Sequence, residues 1–439
     1  MNHNQNHSQS VEVNEVEVEN DKFIAFMNKK YESMPTVSNP EVIRLLNIGE
    51  ADLPFLRIFD QLENGLQLIH YIRAESATPK ALLLRGIIIA THEHPIRIVC
   101  QSFPFTPELL LKDYTPSNDE VKDSQYMPSY EGTILRVFSY RGEWFLSTHK
   151  KINAKNSRWN SPTFGTLFTE CWGSEILGPE GLDSVLNPML CYVFMMSHPQ
   201  NSLVCRNEKA VLYHIVSYTS YACLIPEEGF EGNDVPKFVP VQVMTDCTEA
   251  FPIKHPNVLI PVTLKFFTLE QVQDFVNVQV PWQTFSGLIC TNAAGMVKIL
   301  NEEYQHRREI RGNEPNLRIQ FFALKAKNLQ QELVELLPNQ KSFFDKCESD
   351  RQRLVYYLYQ YFEFRELNKN YLRVPQEEHR FLERVKAGTN LFGLAPTDIE
   401  ETVKTTIRNM LQQSSPRELN AMIKHMTLTD GVVTHVDVA

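Results

Sequence analysis

Between residues 129 and 159 the chain gathers side chains that could do chemistry into one block. Ser129-Tyr130-Glu131-Gly132 opens it, and His149-Lys150-Lys151, Lys155, Arg158 and Trp159 close it. A serine hydroxyl becomes a nucleophile only when a neighbouring base takes its proton, and no motif here supplies that base. The lysines and arginine offer phosphate contacts instead, which bind without reading sequence and weaken steeply with salt. Trp159 adds a ring on which a base could stack. A second cationic run, Gln305-His306-Arg307-Arg308-Glu309-Ile310-Arg311-Gly312, repeats the pattern further along. The alternative for both runs is a solvated charged face, with Trp159 half-buried against the helix that follows.

Metal chemistry finds no support in the spacing. His92-Glu93-His94 is followed by Pro95 and is not HExxH, which sets two histidines one helical turn apart, so it reads as a polar hairpin tip. The eight cysteines are scattered without a CxxC pair, and several sit in apolar contexts such as Ile98-Val99-Cys100 and Leu288-Ile289-Cys290. They read as buried free thiols of a reducing compartment. No metal set is expected.

The elements that must position these residues form an α+β pattern. A chain of 439 residues with 43% hydrophobic and 22% charged residues has room for two or three ordinary globular domains. Its formal net charge of −10 excludes a generally basic nucleic-acid coat but leaves a local basic face possible. No signal-peptide core and no run of about 18 apolar residues is present, so an intracellular protein, or one held inside a particle, is expected. Residues 1–20 read as a disordered tail and 431–439 as a second one.

Helical spacing over 21–50 precedes strands at Leu66–Ile72, Ala81–Ala90 and Ile96–Gln101. Further strands are expected in 133–148, then at Cys191–Met196, Leu203–Val204, Val211–Tyr218, Val258–Phe267 and Gly287–Leu300. Helices interrupt near 164–177 and 269–277. From 318 onward the pattern is helical throughout, over 318–338, 342–368, 376–388 and 397–426, with caps at Asp398 and Ser415-Pro416. A β-rich body over 21–317 with flanking helices and an all-helical module over 318–430 follow from this. The run Leu354–Phe364, LVYYLYQYFEF, is either the core of that module or a partner-binding groove.

Seven blocks keep a recognisable order. They are Leu84-Arg85-Gly86-Ile87-Ile88-Ile89, Gln101-Ser102-Phe103-Pro104-Phe105, Glu131-Gly132-Thr133-Ile134-Leu135, Ser147-Thr148-His149-Lys150-Lys151, Phe194-Met195-Met196 running into Pro199-Gln200-Asn201-Ser202-Leu203-Val204, Phe285-Ser286-Gly287-Leu288-Ile289, and Met296-Val297-Lys298-Ile299-Leu300. Together, over about 80–304, they resemble the ATP-dependent RNA ligases of the bacteriophage type, in the covalent nucleotidyltransferase superfamily, including divergent relatives of large DNA viruses. A helical C-terminal module follows in that family too.

The resemblance implies a nucleotide pocket and also its decay. The family's nucleophilic lysine falls on Ser129, its third-motif glutamate on Met195, its fourth-motif glutamate on Ser286, and the second lysine of its fifth motif on Leu300. Arg85, Glu131 and Lys298 remain as candidate nucleotide ligands, with Gly132 kept beside them. Adenylation needs the nucleophile, a divalent metal and a cationic clamp together, and a thioether is a poor magnesium ligand. The expected function is therefore an RNA-ligase-like protein without adenylation chemistry, acting in nucleic-acid binding or as a scaffold. It would bind RNA or another nucleic acid through His149, Lys150, Lys151, Lys155, Arg158, Trp159, Arg307, Arg308 and Arg311, and a viral or host protein through the helical module. Two alternatives stand beside it. One is an unconventional active enzyme using ATP and Mg, with a displaced nucleophile such as Lys150. The other is a structural virion protein.

Overall fold

The computed structural model describes residues 29–159, 162–173, 182–219, 253–279, 281–391 and 393–428. Both expected tails lie outside the described residues. The chain forms two compact units, one through Glu302 and one from Glu303 onward. The expected change of character at 318 falls one helix after this division.

The first unit begins with short capped helices and a meander. Asn39 accepts from the Glu41 and Val42 amides, and Pro40 supplies the first-turn residue that needs no donor, which starts α1 (Pro40–Leu45). Strands β1 (Leu56–Gln61) and β2 (Leu66–Tyr71) then pair antiparallel. The strand expected over Ala81–Ala90 is half helix. Thr78 caps Ala81, and Pro79 opens α2 (Pro79–Leu83). Only β3 (Ile87–Ala90) is extended, and it pairs with β2 and with β4 (Arg97–Cys100) to complete a four-stranded sheet.

Two more sheets follow. Strands β5 (Glu108–Leu110) and β6 (Gln125–Pro128) flank α3 (Asn118–Asp123), which starts with a reciprocal Ser117/Glu120 capping box. The hairpin β7 (Thr133–Tyr140) and β8 (Glu143–Ser147) leads to α4 (Phe164–Trp172). Strands β9 (Leu190–Ser197), β10 (Val211–Thr219) and the two-residue β11 (Val258–Leu259) join that hairpin in the order β11-β10-β9-β7-β8. Helix α5 (Leu269–Asp274) precedes β12 (Gly287–Asn292) and β13 (Gly295–Leu300), which lie in the order β5-β13-β12-β6.

The expected strand at Val258–Phe267 is therefore mostly irregular, and Leu203–Val204 is not a strand. The amides of that second pair are claimed by a side chain described below.

The five-stranded sheet is covered on both faces. Leu135 and Val137 of β7 pack with Phe164, Phe168 and Trp172 of α4 on one side. Phe138 and Cys191 meet Val99 and Cys100 of the first sheet on the other. This explains why β9 reads as the unbroken apolar run LCYVFMMS. The third sheet buries Leu288, Cys290 and Ile299 with Val121, Val272 and Val276, leaving its opposite face for the site.

The second unit is helical. Helix α6 (Glu302–Arg311), read from sequence only as a charge run, is followed by α7 (Leu317–Ala326), α8 (Gln330–Leu336) and α9 (Lys341–Phe362). Helices α10 (Gln376–Gly388), α11 (Pro396–Gln413) and α12 (Pro416–Leu428) complete it. The expected helix over 397–426 is two helices, because Pro416 opens a new first turn after Ser414. Leu354, Tyr357, Leu358, Tyr361 and Phe362 turn into one core with Phe381, Val403, Ile407, Met422 and Ile423. The aromatic run of α9 is thus mainly core, with Tyr356 left outside it at 55% exposure.

Candidate functional site

Four residues far apart in sequence, Arg85, Ser129, Met195 and Lys298, line one cavity of about 200 Å³ in the first unit. Strand register puts them there. Met195 on β9 faces Ile134 of β7, while Lys298 on β13 faces Ile289 of β12 and aligns with Glu108 of β5. Ile289 in turn pairs with Met127 of β6, one residue from the turn that carries Ser129. Because strand side chains alternate, Met296 and Lys298 share the cavity face while Ile299 enters the core. Phe103, Met127, Ile215, Ile289 and Met296 make the lining mainly apolar.

The polar groups in this cavity are already engaged. Ser129 and Ser286 are both buried, and their hydroxyl oxygens lie 2.8 Å apart. Ser286 Oγ is also 2.9 Å from the Ser129 carbonyl oxygen, and the two backbones exchange hydrogen bonds with Gly287 and Ser129 as acceptors. Lys298 Nζ is ion-paired with Glu108 at 3.3 Å. Arg85 lays its guanidinium 5.2 Å over the Phe103 ring and donates to the Pro104 carbonyl at 3.4 Å. Burial lowers the Arg85 pKa, with Tyr71 opposing the shift, and a guanidinium stays charged throughout.

Glu131 and Gly132 serve the framework. The buried Glu131 carboxylate accepts the Leu203 amide at 2.7 Å, the Val204 amide at 2.9 Å and the Cys205 amide at 3.1 Å through Oε1, with Val204 also 3.0 Å from Oε2. Asn201 donates to Thr133 Oγ1 at 2.7 Å beside it. These bonds tie the Glu-Gly block to the Pro-x-Asn block, and they draw Leu203 and Val204 out of any sheet. Gly132 is required by close approach, since a Cβ there would lie 2.1 Å from the Met196 carbonyl oxygen. Neither residue lines the cavity, and neither does Leu300, which is buried in the body.

Sequence reading missed two charges. Glu108, the partner of Lys298, comes from a three-residue strand that joins β13 across 190 positions, and no local signal marks it. Arg136 is fully buried on β7 and donates to the Gly86 carbonyl, to Ser147 Oγ at 2.7 Å and to the Thr148 carbonyl. Its guanidinium fastens the Arg-Gly block to the segment before His149.

That cationic neighbourhood governs two histidines. Burial holds His70 down to a pKa of about 3, against a backbone bond from its ring to the Tyr71 carbonyl, with Lys150, Arg85 and Arg136 adding to the depression. His149 is held well below its usual value by burial and then by Arg85 and Arg136, and its Nε2 lies 3.0 Å from Ser102 Oγ. His149 therefore sits within the framework as a neutral ring.

The rest of the basic block divides by contact. Lys150 Nζ rests 5.6 Å from the Phe59 ring centre, and burial lowers its pKa, with Lys30 adding to the shift. Lys151 pairs with Asp60 at 3.4 Å. Ile152 and Ala154 are buried while Lys151, Asn153 and Lys155 point outward, so the segment is pinned with its ammonium groups exposed. Arg158 is exposed, and Trp159 is 63% exposed rather than half-buried. In the second unit, Arg307 pairs with Glu303 at 2.5 Å, Arg308 is half-buried, and Arg311 is buried with its guanidinium 3.1 Å from the Glu314 carbonyl oxygen.

ATP and magnesium fit this site poorly. The cavity lies below the roughly 300–1,000 Å³ usual for small-molecule pockets. Among the described residues its one lining carboxylate is paired with Lys298, and Met195 presents sulfur where a hard cation needs oxygen. Among the described residues the only His, Cys, Asp and Glu group close enough to share an ion is Glu377, Glu378 and His425, in the second unit. There His425 Nδ1 lies 2.9 Å from the buried Glu378 carboxylate, a contact that the pair satisfies on its own.

No protein-family profile matches the chain. It is similar to the "Immediate-early protein ICP-46 homolog" of Invertebrate iridescent virus 3, 26% identical over 359 residues that span 78% of this chain and 72% of that protein. The protein of the same description from Invertebrate iridescent virus 6 is 21% identical over 436 residues, covering 89% of each. "Immediate-early protein ICP-46" of Frog virus 3 (isolate Goorha) is 25% identical over 239 residues, 48% of this chain and 53% of that one. Among solved structures, "Archaeal ATP-dependent RNA ligase - form 1" aligns at a TM-score of 0.42 and 10% identity over 85% of this chain and 99% of its own. A putative ATP-dependent DNA ligase from Aquifex aeolicus aligns at 0.37 and 12% over 71% and 76%. No helix among the described residues is long and apolar enough to cross a membrane.

Proposed function

We propose that this chain is an RNA-ligase-like protein of a DNA virus that has lost adenylation and acts by binding nucleic acid. The observation that carries this reading is Ser129, which lines one cavity with Met195 and whose hydroxyl lies 2.8 Å from that of Ser286. These are the positions where the sequence resemblance calls for the nucleophile and two carboxylates. Among the described residues Lys298 is the one lysine lining the cavity, and its ammonium is committed to Glu108. Lys150 lies against Phe59 and does not line it. The similarity to iridescent-virus proteins supports the viral setting.

The nucleic-acid half of the reading rests on the exposed side of residues 150–159. Lys155, Arg158 and Trp159 extend outward from a segment fixed by Ile152 and Ala154. Lysine and arginine would hold phosphates there, and the tryptophan would stack on a base.

The test has two arms. Incubation with α-labelled ATP and Mg²⁺ or Mn²⁺ should leave no alkali-resistant label on the protein, and a stable adenylate on any lysine, Lys298 included, overturns the loss of chemistry. Single-stranded RNA should bind at low salt, and Lys155→Ala with Arg158→Ala should flatten the salt dependence by up to roughly 0.7 for each phosphate no longer neutralised. Binding that is absent at low salt removes the nucleic-acid half.

A further inference from the structure

The second unit has a groove that the site above does not use. It runs between α9 and α11, holds about 390 Å³, and is walled by Arg351 and Tyr356 on one side and Lys404, Arg408 and Gln412 on the other. We infer that this groove binds a single-stranded nucleic acid, with phosphates on Arg351, Lys404 and Arg408 and a base against Tyr356.

Three observations support this occupant. Among the described residues the groove collects three cations and no lining carboxylate, and although Lys404 and Arg408 are paired with glutamates outside the lining, the wall itself presents only positive charge toward an anion. Lys404 and Arg408 stand four residues apart on α11, about 6 Å along its axis, close to the spacing of neighbouring phosphates on one strand. Tyr356 is the member of the α9 aromatic run left outside the core, at 55% exposure. An exposed ring among cations suits base stacking, which tolerates any sequence.

The local charge also favours it. Residues 303–439 carry nearly equal numbers of basic and acidic side chains, so the chain's charge of −10 falls on the segment before them.

The cations are held in place beforehand. Lys404 pairs with Glu400 and lies 5.3 Å from the Tyr356 ring centre and 4.8 Å from that of Tyr359. Arg408 pairs with Glu401 at 2.7 Å. Both glutamates are well exposed. They fix the cations toward the groove and compete with an incoming phosphate, so removing their charge should strengthen binding.

This inference stands apart from the segment at 150–159, and the experiment separates the two. Full-length protein is titrated against a fluorescein-labelled oligouridylate of about 10 nucleotides at low and raised salt, with far-UV circular dichroism confirming helix content. Arg351→Ala with Arg408→Ala should weaken binding at least tenfold and lower the salt slope by roughly 1.4, two phosphates at about 0.7 each. Tyr356→Ala should weaken it while Tyr356→Phe, which keeps the ring, should not. Glu400→Gln with Glu401→Gln should tighten it. Binding unchanged in the Arg351/Arg408 variant but abolished in Lys155→Ala with Arg158→Ala overturns the groove and leaves the earlier segment standing. Equal damage from Tyr356→Ala and Tyr356→Phe, or displacement of the RNA by polyglutamate as readily as by unlabelled RNA, also overturns it, the second in favour of an acidic protein segment.

Discussion

Replacing Glu131 should unfold the first unit more easily, whatever happens to ligand binding. Its Oε1 takes three consecutive amides between 2.7 and 3.1 Å. Val204 and Cys205 are buried, whereas Leu203 is 40% exposed and can turn to water. In Glu131→Ala two buried N–H groups lose their acceptor at about 1–3 kcal/mol each, giving about 2–6 kcal/mol. Glu131→Gln keeps an oxygen in place but removes the charge that strengthens each bond, for about 1–3 kcal/mol in total.

All four tryptophans lie before residue 303, so tryptophan fluorescence in urea follows the first unit alone. With a slope of about 3 kcal/mol per molar, the Ala variant should shift the midpoint down by roughly 0.7–2 M, and the Gln variant by about half as much. If both midpoints stay within about 0.2 M of the parent, the carboxylate is not holding the loop and the framework role assigned to it is wrong.

Two further outcomes follow from the same region. His70 is buried and His149 half-buried, both held as neutral rings, so below their ordinary pKa of about 6.5 the unfolded chain takes up protons that the folded chain refuses. Stability is then complete above about pH 6.5 and falls as pH drops toward the His70 value of about 3, by about 1.4 kcal/mol per unit for that ring, with His149 acting in the same direction. Urea midpoints between pH 7 and 5 should show this slope, and His70→Gln should reduce it; a flat profile would contradict the neutral assignment. Gly132→Ala should leave little folded first unit at all, because its Cβ would stand 2.1 Å from the Met196 carbonyl. A circular dichroism melt matching the parent would show that the β7–β9 approach is looser than described.

Much of the scaffold was legible because burial leaves a pattern. The continuous apolar run of β9 is a direct consequence of being covered on two faces. Leu56–Gln61 went unread because LRIFDQ is half polar, as a strand at a sheet edge can be. Ala81–Ala90 was over-read because apolar residues alone do not separate a five-residue helix from a strand, whereas Thr78-Pro79 does. Of the candidate site, Arg85, Ser129, Met195 and Lys298 do converge, and Ser286 joins them through Ser129. What motif positions alone could not reveal was direction. Glu131 turns its carboxylate to a backbone loop, His149 turns inward, and Arg311 is consumed by its own helix end.

The bond from Cys205 to Glu131 also has a kinetic meaning. It closes a chain segment of 74 residues, a closure that is costly for a free chain. The β7–β9 ladder has already brought Thr133 beside Met196, so the carboxylate has only the few residues after β9 left to gather. A bond made after the ladder contributes little to the folding barrier and much to the barrier against opening. Glu131 then works as a latch, setting how long the folded sheet stays shut more than how quickly it assembles.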